Sequence, residues 1–389
     1  MDRRLIEVVP VLLTMYATWF TIGIFAIYLQ LYAFYVVGVS NIIIGFLTTF
    51  YFLLNSISSI SGGIIVDKFG WVRGVLIGSL LLLSISNFIT PLYKDGLYLI
   101  IVRMLQGFST GAIIPLVNLI GAKVMGAGEG IGTVGMFGSM GFATSGLIGG
   151  YIVNALGYEG SFILCGVITL IPLILLVMVD SGMYSDIRGS RIELRELIKF
   201  PLAIWVIYIA YSLRFVAAGG VWSFFSLFLY DLGADEYWVG IIHSINTITQ
   251  ILIFRSIGRY SEGRGLRIFE LGLLLTSMVF LGYFLSPTYI HIIPLQMVLA
   301  ISWVMLYSGA NVYIIENTSE SQRATGLGAL QMFNALSWIV GSSANGYVSE
   351  FSGSYKTYIF ASIFITLIGL LIVEGYFRIR GGVGDGASR

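Results

Sequence analysis

The sequence predicts an all-α integral membrane protein, with twelve transmembrane helices in two pseudo-symmetric six-helix bundles, and three observations carry that expectation. Of 389 residues, 57% are hydrophobic and only 11% are charged, too few polar side chains to cover a water-facing globule. Twelve segments reach the ~20 apolar residues that a membrane crossing needs. Finally, the chain repeats itself half a length apart. Gly63-x-x-x-Asp67-x-x-Gly70 recurs as Gly258-x-x-x-Glu262-x-x-Gly265, and Gly150-Tyr151-Ile152 with Gly157 recurs as Gly346-Tyr347-Val348 with Gly353. Parallel-related halves in an apolar chain imply a carrier built to rock about a central site.

In the first half the spans fall near 8 to 37, 41 to 66, 71 to 91, 97 to 122, 131 to 156 and 160 to 180. In the second they fall near 201 to 230, 237 to 258, 266 to 286, 289 to 315, 324 to 350 and 355 to 377. Residues 1–180 then make the N-terminal bundle, 181–200 a cytoplasmic linker, 201–378 the C-terminal bundle and 379–389 a disordered cytoplasmic tail. In the linker, Leu194, Leu197 and Ile198 put one apolar stripe on a short interfacial helix. Arg3 and Arg4 precede an apolar run without an Ala-x-Ala-like cleavage site, so this run is read as the first span rather than a signal peptide.

Charge sets the orientation, because Lys and Arg concentrate on the cytoplasmic side. Seventeen of the 21 fall on the side of both termini, against Lys94 and Lys356 opposite, with Arg103 and Arg214 inside spans. A multi-pass protein of the cell membrane with both termini cytoplasmic follows, which an even number of spans satisfies. The formal net charge of +1 gives no basic surface for nucleic acid, and the lone Cys165 excludes an internal disulfide. There is no Gly-Lys-Ser/Thr phosphate loop to bind ATP and no His-Glu-x-x-His metal site, so neither a cofactor nor an enzyme is expected. The expected partners are a small-molecule substrate, the lipid bilayer and, as a candidate second cargo, a proton or other coupling ion; the chain is expected to act as a monomer.

The loop after span 2 reads Gly63-Ile64-Ile65-Val66-Asp67-Lys68-Phe69-Gly70-Trp71-Val72-Arg73, and span 4 carries Arg103-Met104-Leu105-Gln106-Gly107. With the twelve spans and the repeat, these resemble the loop signature and second motif of the major facilitator superfamily. A tight turn needs glycine where the backbone bends sharply, and an acid there can face a helix N-terminus. The resemblance implies that Asp67 braces the cytoplasmic start of span 11, near Arg323. By the repeat, Glu262 should brace span 5 near Gly130. Asp67, Lys68, Gly63, Gly70, Arg73 and Glu262 thus form an expected cytoplasmic latch. Span 5 departs from the pattern: Gly141 to Gly150 resembles the family's antiporter motif, but Ser145-Gly146 stands where that motif has Gly-Pro, which weakens the case for proton-driven drug export.

Ionisable groups at bilayer depth are rare and mark cavities or partners. Arg103 lies in the outer part of span 4 and Arg214 near the middle of span 7, while none of the 20 Asp and Glu sits mid-span. His243 is the one span histidine placed to titrate near neutral pH, on a face shared with Asn246 and Gln250, and is the candidate for proton coupling. The family's cavity is lined by spans 1, 4, 7 and 10. The repeat sets Tyr16-x-x-Trp19-Phe20 against Tyr211-x-x-Arg214-Phe215, a pairing suited to an aromatic or amphipathic anion. Candidate substrate-binding residues are Arg214, Trp19, Arg103, Gln106, Tyr16, Tyr211, Asn311 and Trp338. A midplane arginine without a midplane acid favours an organic anion carried by alternating access. A multidrug exporter of neutral or cationic amphiphiles is the alternative, and a non-transporting receptor or enzyme a further one.

Overall fold

A computed structural model describes residues 3–125, 127–178, 200–319 and 322–384. The chain runs through α1 (Arg3–Leu31), α2 (Asn41–Phe69), α3 (Val72–Ile89), α4 (Gly96–Met125), α5 (Ala127–Met178), α6 (Leu202–Ser223), α7 (Phe225–Asp231), α8 (Glu236–Ser261), α9 (Gly265–Leu285), α10 (Ile292–Glu316), α11 (Arg323–Ser352) and α12 (Tyr355–Gly384). Helix is the arrangement that satisfies every backbone N–H and C=O within one segment, as a bilayer demands.

Ten of the helical stretches are long and apolar enough to cross a membrane. One of them, Gly132–Met178, holds the predicted spans 5 and 6, because the helix breaks at Gly157 (φ 72, ψ 171). The repeat partner Gly353 takes φ 66 and ψ 16 as the C-cap of α11, so both glycines of the repeat interrupt helix at positive φ, with different ψ. The 30-residue α11 falls short only in apolarity, diluted by Gln331, Asn334, Ser337, Ser342, Ser343 and Asn345.

Several boundaries differ from the sequence expectation. Span 7, read as one helix, breaks at Phe224 (φ −122, ψ 7) into α6 and α7. Span 1 ends in a π-helical turn over Tyr32–Val37, which Gly38 closes at φ 77. At the far end, α12 runs on through Gly381 and Gly382 to Gly384, where a disordered tail was expected. The predicted linker helix at Leu194, Leu197 and Ile198 lies outside the described residues. Acids cap two helices that start on the side predicted to be outer, with Asp95 Oδ1 accepting from Tyr98 N at 2.9 Å and Asp235 Oδ1 from Trp238 N at 2.8 Å.

The chain divides into two compact units, Met1–Ser190 with Ser223–Thr247, and Arg191–Trp222 with Ile248–Arg389. In the first, α1 packs along α5 and α2 along α4, with α3 against both α4 and α5. Its core includes Leu76, Leu80, Leu83, Ile113, Val117 and Val134. In the second, α9 packs against α10 and α12, and α11 against α10 and α12. Ile204, Tyr208, Tyr211, Phe269, Leu273 and Leu306 are buried in its core.

The glycines of α5 explain how the first unit closes so tightly. A Cβ on Gly141 would collide with the backbone of Tyr16, and one on Gly149 would lie 2.5 Å from the Tyr28 ring, so these two admit α1. Gly146 and Gly150 open the other face: their added Cβ atoms would lie 2.7 Å from Gly240 O and 2.5 Å from Tyr237 Cα of α8. Helices in lipid associate through such close backbone approach.

Candidate functional site

Arg214 sits in α6, one turn after Tyr211, and is only 3% exposed. Its guanidinium lies 4.5 Å above the Phe215 ring, and Tyr211 packs against Phe215 (4.5 Å between centroids) and Phe269 (6.4 Å). Its electrostatic neighbours are the phenols of Tyr211 and Tyr283. Among the described residues no carboxylate pairs with it and no acceptor takes a hydrogen bond from it, and its shielded Nε and the buried Tyr211 hydroxyl both lack partners. A planar cation with five N–H donors is thus held on an aromatic face with its donors open.

Arg103 is held differently. Its Nη1 donates to Gln106 Oε1 at 2.8 Å, and Gln106 Nε2 in turn donates to Asn87 Oδ1 at 3.0 Å. The guanidinium covers the Tyr51 ring at 4.2 Å and approaches that of Phe25 at 5.9 Å. Tyr51 Oη and Thr110 Oγ1 are 2.9 Å apart, and Asn55 Nδ2 donates to Thr110 Oγ1 at 3.1 Å. The network ties α2, α3 and α4 together around one cation. Sequence reasoning found Arg103 and Gln106 but missed Asn87, Tyr51, Asn55 and Thr110; the amides of Asn55 in mid-span and Asn87 near the end of span 3 were the available signal.

The remaining predicted binding residues are described unit by unit. In the first unit, Tyr16 stacks on Phe20 (6.3 Å), and Trp19 meets Phe142 edge-on (6.2 Å) and fills the space that Gly138 leaves open. In the second, Asn311 Nδ2 donates back to Tyr307 O of its own helix at 2.6 Å, while Trp338 lies against Gly219.

His243 is fully buried, its Nε2 3.3 Å from Ser226 Oγ and its ring edge-on to Phe225 at 5.2 Å. For proton-driven transport, His243→Gln should keep binding yet flatten the pH dependence of uptake in proteoliposomes; an unchanged profile would clear this histidine of coupling.

At the loop after α2, Gly70 takes φ 67 and its N–H donates to Val66 O at 2.8 Å, whereas Gly63 is helical. The Asp67 side chain lies outside what is described. Lys68 is exposed over the Phe69 ring at 5.2 Å, and Arg73 donates to Leu176 O (3.2 and 2.9 Å) and Val177 O (3.1 Å) at the end of α5, where a cation is favoured. In the second loop the repeat is not followed residue by residue. Gly258 is helical, the left-handed residue is Gly263 (φ 66), and Gly265, the repeat partner of Gly70, instead admits the Tyr313 and Gly309 backbone. Glu262 is exposed, and the acid that engages this loop is Glu316, whose Oε1 accepts from Gly263 N at 2.8 Å. Arg323 Nε donates to Ile315 O at 3.2 Å.

Residues 11–342 match the family described as the Major Facilitator Superfamily. The chain belongs to the Major Facilitator Superfamily. An uncharacterized transporter of the same type from Methanocaldococcus jannaschii is 18% identical over 378 residues, which span 95% of this chain and 97% of that one. Among solved structures, the nucleoside transporter NupG matches at a TM-score of 0.81 with 16% identity, covering 97% of this chain and 99% of its own. A bacterial homolog of the human lysosomal transporter Spinster matches at 0.80 with 15% identity, covering 97% of both. A POT family transporter in complex with 5-aminolevulinic acid matches at 0.73 with 14% identity, covering 95% of both. These likenesses establish the facilitator fold, and with the ten apolar helices they make the chain a multi-pass integral membrane protein.

Proposed function

We propose that this facilitator-family chain moves a small organic anion across the cell membrane by alternating access, as a secondary or facilitative carrier. The observation that carries the reading is Arg214, buried in the second unit with no acid and no hydrogen bond among the described residues. A charge at that depth persists where it serves substrate or a partner. Solved relatives in complex with 5-aminolevulinic acid, or described as transporting nucleosides or peptides, agree with a cargo of this size. The test is a thermal-shift screen of purified protein against metabolite and drug libraries, repeated on Arg214→Gln, since a ligand of the folded state raises its melting temperature. Organic anions should dominate the hits and lose their effect in the variant. Neutral or cationic amphiphiles that act equally on both proteins would favour the multidrug-exporter reading instead.

The proposed bundles are residues 1–180 and 201–378, with both termini cytoplasmic. Cysteines placed at Ser190 and Ser354 should label from opposite faces of the membrane; labelling from one face would refute the twelve-span topology. Asp67, Lys68, Gly63, Gly70, Arg73 and Glu262 are proposed to latch the cytoplasmic side. A carboxylate at a helix end contributes ~0.3 to 2 kcal/mol, and ~1.4 kcal/mol changes a two-state ratio tenfold. Asp67→Asn with Glu262→Gln should therefore lengthen spin-label distances between the two cytoplasmic loops, with little loss of binding. Unchanged distances would make both acids ordinary loop residues.

A further inference from the structure

We infer that Arg214 and Tyr211 form a site for a single negative charge, and that the solute is a monoanion of the carboxylate class rather than a dianion such as a phosphate monoester. This deepens the anion reading above and rests on it. Among the described residues Arg214 is the one cation at the site, and its electrostatic neighbours are phenols, neutral near pH 7. One positive charge shielded from water is neutralised by one negative charge. A dianion would leave the closed site with a net charge again, the condition that membrane depth penalises. The donors agree in number and kind. Arg214 offers a planar fork of N–H groups with a buried, partnerless Nε, and one helical turn earlier Tyr211 adds a buried, partnerless O–H. A carboxylate accepts both in one plane, two N–H groups on its two oxygens and the phenol on a remaining lone pair. The Phe215 ring under the guanidinium and the Phe269 ring beside Tyr211 supply an apolar, aromatic surround for the rest of the molecule.

Thermal shift of the purified full chain against matched probes tests this: phenylacetate and indole-3-acetate as monoanions, phenyl phosphate as dianion, 2-phenylacetamide as the neutral isostere. The carboxylates should raise the melting temperature at concentrations at least tenfold below those needed for the phosphate or the amide. Tyr211→Phe, which removes one oxygen from a packed ring, should weaken the carboxylates about tenfold without changing the melting temperature of the free protein, and Arg214→Gln should abolish their effect. Phenyl phosphate binding as well as phenylacetate, with the effect lost in Arg214→Gln, would overturn the single-charge inference and leave the anion reading standing. Stabilisation by the amide that ignores Arg214 would overturn both, and no response to either carboxylate would overturn the inference.

Discussion

Arg214→Met is expected to raise the thermal stability of the ligand-free protein and at the same time to abolish solute binding. A charge at bilayer depth costs ~3 kcal/mol or more. Arg214 recovers none of that through a hydrogen bond or ion pair among the described residues; the Phe215 ring lies 4.5 Å from its guanidinium. Methionine keeps an unbranched apolar stem beside the Phe215 ring while removing the cation. A structural arginine behaves in the opposite way, since breaking a buried pair destabilises by ~3 to 5 kcal/mol. Binding should fall more than tenfold, as hydrogen bonds to a charged group are each worth ~1.5 to 3 kcal/mol. Arg214→Lys keeps the charge but loses the fork, so it should bind with intermediate affinity. Melting curves with and without solute check all three outcomes, and a less stable, binding-competent methionine variant would make Arg214 a packing residue.

Gly240→Leu should sharply reduce the yield of monodisperse protein, the largest loss expected from any single glycine substitution in α8. A Cβ there collides with Gly146 O and with the Tyr28 hydroxyl, and a backbone carbonyl cannot rotate away as a side chain can. Forcing α8 off α5 would also break the bonds from Ser244 Oγ to Ala143 O (3.0 Å) and from Tyr28 Oη to Glu236 O (3.3 Å). Overpacking of this kind costs ~1 to 3 kcal/mol, and a leucine reaches further than the first carbon. Gly135→Ala, on α5 with open space around it, is the control. It should be neutral or stabilising by ~0.5 to 1 kcal/mol, because it removes only backbone freedom from a helix. Size-exclusion profiles and melting temperatures of the two variants separate the effects.

The spans were legible because apolar length and charge asymmetry are direct consequences of the bilayer, and Gly157 and Gly353 were legible through the repeat. The break at Phe224 was not, because Ser223-Phe224-Phe225 contains neither Gly nor Pro to announce it. In the loops, sequence equivalence misled: Gly70 and Gly265 align, yet the left-handed turn moves to Gly263, since a turn can slide to any glycine within reach. At the site, both arginines stood out as intramembrane charges. What distinguishes them did not. Arg103 is tied through Gln106 to Asn87 on a neighbouring helix, whereas Arg214 has no such tie, and neither spacing nor composition encodes which side chains three helices bring together.

Counterflow in proteoliposomes tests most directly whether this is a carrier that grips an organic anion through Arg214. Vesicles preloaded with the anion that most raises the melting temperature should accumulate its labelled form through the wild-type protein and not through Arg214→Gln reconstituted at equal density. Equal accumulation by both proteins would contradict the role of Arg214. Absence of accumulation by the wild-type protein would contradict carriage of that anion altogether.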